Sequence, residues 1–113
     1  MKLRREFVKK AHPNGNLVYR RQQNLLFPIR LRSIAVEWCN ATRQKREHHM
    51  ALTKNGEPLG ELDFVGDEPA LLKFSKPLAI PRGMIEFRVV CTGFQPDERI
   101  DGVVTVDVTG KIK

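Results

Sequence analysis

Only two cysteines, one tryptophan and one tyrosine occur among the 113 residues, and each scarcity removes a class of function. Cys39 and Cys91 lie 52 positions apart without a C-x-x-C spacing, so neither a redox motif nor a zinc site is indicated. They are expected as two buried thiols on neighbouring strands. An immunoglobulin bridge is disfavoured as well, because Trp38 precedes Cys39 instead of following it at a distance. Aromatics make up 7% of the chain, thin provision for a glycosidase cleft or for stacking single-stranded bases. Apolar runs are short, and none nears the roughly 20 residues that span a bilayer. The opening MKLRREFVKKAHPNG has no apolar core, so it does not read as a secretory signal, and the cytoplasm is the default location.

Chemistry-bearing residues are scattered. Of His12, His48 and His49, the adjacent pair would face opposite sides of a strand and could not share a metal. Glu61 and Asp63 are two apart, opposite Leu62 and Phe64, and read as solvent-side residues. No Ser or Cys sits in a strand–turn–helix elbow, and glycine-rich phosphate loops are missing. The expectation is a protein with no catalytic residue, no metal and no cofactor.

What the chain does have is lopsided charge. The formal net charge is +7. Residues 1–49 hold twelve Lys or Arg against Glu6, Glu37 and Glu47, whereas residues 50–113 hold eight against ten acids. Such asymmetry points to an acidic partner. Lys2, Arg4, Arg5, Lys9, Lys10, Arg20 and Arg21 precede the strongest strand pattern. Arg30 and Arg32 alternate with Ile29 and Leu31, and Arg43, Lys45 and Arg46 fall in a polar stretch read as an exposed loop. These twelve are the candidate partner-binding residues. The expected partners are neighbouring protein subunits, in a homo-oligomer or a coat, with nucleic acid or an anionic membrane surface as further options.

Period-two patterning dominates. Ile29 and Leu31 share one parity; past Ser33 the apolar parity flips to Ile34, Val36 and Trp38, which predicts a β-bulge or a strand passing between sheets. Pro28 confines the start of that run to an edge or bend. Asn55-Gly56, between Met50/Leu52 and Leu62/Phe64, demands a type I′ hairpin. Ile85, Phe87, Val89 and Cys91 alternate with Glu86 and Arg88, and Val104, Val106 and Val108 alternate with Thr105, Asp107 and Thr109. Seven or eight short strands separated by turn residues predict one antiparallel β-sandwich or barrel. The basic KLRREFVKKA is read as an extended arm, with a short amphipathic helix as the alternative, so residues 1–15 are set apart as an arm and 16–113 as the sandwich domain.

The segment KFSKPLAIPRGMIEFRVVCTGFQPDERIDGVVTVDVTG runs from an apolar strand into an I-P-R-G corner, a long alternating strand, a polar loop and a closing Val/Thr strand. That cadence resembles small jelly-roll proteins at virion vertices and minor capsid sites of tailless bacteriophages. The resemblance implies an all-β, jelly-roll-like antiparallel sandwich in a virion, working as a homo-oligomer and docking through its basic N-terminal arm. Two readings stand beside it: a nucleic-acid-binding β-barrel, and a glycan or protein recognition module on the loops around 40–47 and 93–102.

Overall fold

Apolar residues recurring at every second position bury one face of a strand and leave the other to water. In this protein that pattern yields eight strands. The computed structural model describes residues 2–39 and 45–111. In chain order the strands are β1 (Lys2–Lys10), β2 (Leu17–Leu25), β3 (Ile29–Trp38), β4 (Arg46–Lys54), β5 (Glu57–Gly66), β6 (Ala70–Ile80), β7 (Gly83–Cys91) and β8 (Arg99–Lys111). They form two four-stranded sheets, β1-β8-β3-β6 and β2-β7-β4-β5, with every neighbouring pair antiparallel. That order is the double Greek key of a jelly roll. The all-β antiparallel sandwich read from the sequence is the fold observed.

The core lies between the sheets. Val36, Met50, Leu52 and Val89 are wholly or almost wholly buried, with Tyr19 and Phe87 beside them. Each such side chain contributes about 1.5–3 kcal/mol of transfer free energy. A second cluster of Ala11, Leu17, Cys91, Phe94 and Ile100 fills one end, and Trp38 packs against both clusters.

Local chemistry sets the joints. The parity flip past Ser33 is a register shift between Leu31 and Ser33 in the pairing of β3 with both neighbours. Asn55 and Gly56 take φ of 52° and 81°, the left-handed pair a type I′ turn requires. Gly15 has a φ of +83° in the turn between β1 and β2. Its N–H donates to His12 O at 2.8 Å, and its carbonyl accepts from Phe94 N at 3.1 Å.

Three expectations need correction. Residues 2–10 are extended, but as a strand of the sandwich and not an arm set apart from it or a helix: β1 pairs with β8 from Lys2↔Asp107 to Lys10↔Arg99. Phe7 anchors it, stacking on Tyr19 at 4.1 Å and meeting Trp38 edge-on at 5.9 Å. Cys39 is exposed in a bend just past β3 while Cys91 is buried, and both are free thiols. Arg46 is not a loop residue but opens β4 on its inward side, only 6% exposed.

Candidate docking surface

β1 and β2 are the edge strands of their sheets on the same side of the sandwich, joined by the Phe7–Tyr19 stack. That side collects Lys2, Arg4, Arg5, Lys9, Lys10, Arg20 and Arg21. All are exposed except the half-buried Arg21. Set against them are Glu6, which pairs with Arg4 at 3.4 Å, and Glu86, which pairs with Arg20. Lys10 lies 4.0 Å from Asp97. Exposed pairs of this kind add little stability, so the excess positive charge remains available to a partner.

The other five candidates do not join this side. Arg30 and Arg32 are exposed on β3, two strands from β1 across β8, roughly 10 Å at the usual strand spacing. Lys45 is exposed just before β4, and Arg43 lies outside the described residues. Arg46 is internal, its guanidinium 4.4 Å over the Phe94 ring, a cation–π contact that replaces part of its lost hydration.

Next to Arg46, sequence reasoning missed a polar cluster. His48 is 4% exposed; its Nε2 accepts from Trp38 Nε1–H at 3.1 Å, so the neutral ring carries its proton on Nδ1. Nδ1 faces the backbone of Phe64 and Arg46 without reaching a well-formed hydrogen bond. Burial lowers the His48 pKa below its ordinary value, the Phe64 and Arg46 backbone opposes this, and the Arg46 charge adds to the lowering. Parity was the available signal, since Arg46 and His48 alternate into the same face as Met50 and Leu52. Burial also pushes the Cys91 thiol up to about 12, which keeps it protonated and unreactive. Tyr19 is likewise raised by burial, with the Arg5 charge pulling it back.

A pH prediction follows from His48. Unfolded, its pKa is about 6.5; folded, it is lower, so the unfolded chain binds more protons below that value. Urea-unfolding free energy should hold steady above about pH 7 and fall as pH drops below about 6.5. In a His48→Gln variant that slope should disappear.

Outside the basic side, two features stand out. Leu26 (72% exposed), Phe27 (55%) and Met84 (46%) gather where the β2–β3 and β6–β7 turns meet. A shallow depression of about 320 Å³ beside β4, β5 and β7 is lined by Glu47, His48, His49, Asp63, Phe64 and Val65 among others. Within it the His49 Nδ1 and Asp63 Oδ1 lie 2.6 Å apart. Of the eight aromatic residues only Phe27 is exposed; the half-buried Phe64 lines the depression, and the basic side offers no open ring for stacking a base. Among the described residues no three His, Cys, Asp or Glu converge as a metal set, and no helix is long and apolar enough to cross a membrane.

No protein-family model matches the chain, and no curated protein matches it. Solved structures give jelly-roll likenesses at low identity. One is the CBM36-1 domain of a multidomain xylanase from the hindgut metagenome of Trinervitermes trinervoides, with a TM-score of 0.45 and 12% identity over 94% of this chain and 99% of that one. A carbohydrate-binding module CBM36 in complex with calcium and xylotriose gives 0.36 and 16% over 88% and 78%. A structure of infectious bursal disease virus, Gt strain, gives 0.39 and 12%, with 94% of this chain covering 32% of the viral chain.

Proposed function

We propose that this chain is a non-enzymatic structural assembly protein, a minor capsid or vertex component of a virion, that joins neighbouring protein subunits through its basic β1/β2 side. The observation that carries the reading is the gathering of seven cations on two adjacent edge strands. Edge strands present unpaired N–H and C=O groups ready for another chain, and the cations select an acidic one. Jelly rolls serve as capsid domains among other uses, an analogy of fold alone. The I-P-R-G corner and closing Val/Thr strand point the same way.

Nucleic acid would be drawn to the same cations, yet single-strand binding wants an open ring among them, and Tyr19 is buried. Glycan recognition on this side meets the same shortage. Light scattering after size exclusion is the test. At about 50 mM salt the protein should form a discrete oligomer that loosens near 500 mM as screening shortens. A Lys2→Glu/Arg4→Glu/Lys9→Glu variant should be monomeric with an unchanged circular dichroism spectrum. A strict monomer at high concentration in low salt would overturn the reading. So would an oligomer indifferent to these substitutions, or salt-sensitive binding to mixed-sequence DNA with no protein assembly.

A further inference from the structure

The two flanks of the sandwich differ in sign. β1 carries five cations against Glu6, whereas β5, at the far edge of the other sheet, carries Glu57, Glu61 and Asp63 and no cation. Asp67 and Glu68 extend the acidic stretch into the next turn. Each strand has one hydrogen-bonded neighbour, β8 for β1 and β4 for β5, so each has a free backbone edge. Their lengths match, nine residues against ten. Exposed apolar side chains sit on both: Leu3 and Val8 on β1, and Val65 on β5.

Resting on the assembly reading above, we propose that the partner is a second copy of this chain, the basic β1 edge of one copy docking along the acidic β5 edge of the next. Pairing β1 with β1 would oppose five cations to five, and β5 with β5 would oppose three acids to three. Both symmetric contacts are therefore penalised. β6, the other edge on the acidic flank, carries Lys73 and Lys76, so β5 and not β6 matches β1. The contact is heterologous, using different surfaces on the two copies. Repetition of such a contact builds a ring where the rotation closes and a filament where it does not. Strand addition at an edge supplies backbone hydrogen bonds, and the charges set which edge is chosen.

Sedimentation velocity on the full chain and two charge-reversed variants tests this. Variant one is Lys2→Glu/Arg4→Glu/Lys9→Glu; variant two is Glu57→Lys/Glu61→Lys/Asp63→Lys. Each alone should be monomeric at concentrations where the parent associates, an affinity loss of at least about a hundredfold for reversing several contacts. Mixed in equal amounts they should associate again, because each edge then meets its opposite. Retained circular dichroism spectra and melting temperatures separate a lost contact from a lost fold. Assembly abolished by variant one but untouched by variant two overturns the β5 assignment while leaving the basic side as the assembly surface. Assembly untouched by both overturns the two together, as does failure of the parent to associate. Two monomeric variants that stay monomeric when mixed overturn the β1–β5 contact alone.

Discussion

Replacing Trp38 with alanine should cost about 4 kcal/mol, the range for truncating a large aromatic in a packed interior. In a domain of this size that corresponds to a fall in melting temperature of about 20 °C. Against a total stability of about 5–15 kcal/mol, the variant should be near unfolding at physiological temperature. The size of the effect comes from position. Trp38 packs against both apolar clusters, meets Phe94 edge-on at 5.7 Å and Phe7 at 5.9 Å, and gives its N–H to His48. Its removal therefore opens a cavity and also leaves a buried imidazole nitrogen without its donor. Trp38→Phe keeps most of the volume and loses only the donor, so its cost should fall to roughly 1–3 kcal/mol. Thermal and urea unfolding of the two variants measure the difference. Equal losses would mean that the hydrogen bond, and not the packing, dominates at this position.

Gly15→Ala should be the most damaging methyl addition, at about 2–3 kcal/mol, since a left-handed backbone and a steric clash fall on one residue. An added Cβ would lie 2.6 Å from the Phe94 carbonyl oxygen, a backbone atom that cannot rotate aside. Gly56→Ala is the internal comparison: its φ is also positive at +81°, but nothing lies within 4 Å of the new Cβ. It should cost only the conformational part, about 1 kcal/mol. Melting temperatures of the pair separate strain from collision. Because Gly15 ties the β1–β2 turn to Phe94, its substitution should also weaken the salt-dependent assembly.

Where the chemistry is local, the residues disclosed the fold. Asn55-Gly56 named its own turn, and the alternating valines of β8 named their own inward face. The parity flip beyond Ser33 announced a bulge before any sheet was known, because a period of two leaves no other way to turn Ile34 and Val36 inward. The first strand stayed hidden for a physical reason. At the rim of a sandwich both faces of KLRREFVKK meet water, and of its side chains only Phe7 is partly buried, so no alternation remains to read. Cys39 misled because it continues past β3, where the strand has already ended in a bend. Arg46 misled through identity: its parity placed it inside, while its polarity suggested a loop. Of the docking surface, the seven cations were visible in the sequence as a cluster. That they share one side could be learned only from the partnering of β1 with β8 and of Phe7 with Tyr19.

That partnering has a consequence for how the molecule is made. Eighty-nine positions separate Lys10 from its partner Arg99, and the interval widens to 105 for Lys2 and Asp107. A strand made early must wait for one made long after it before its backbone is satisfied. Contacts of such long range slow folding, because the loop must close before any pairing rewards it. Until β8 emerges, β1 is an unpaired basic ribbon, and its cations disfavour pairing with the same ribbon of another copy.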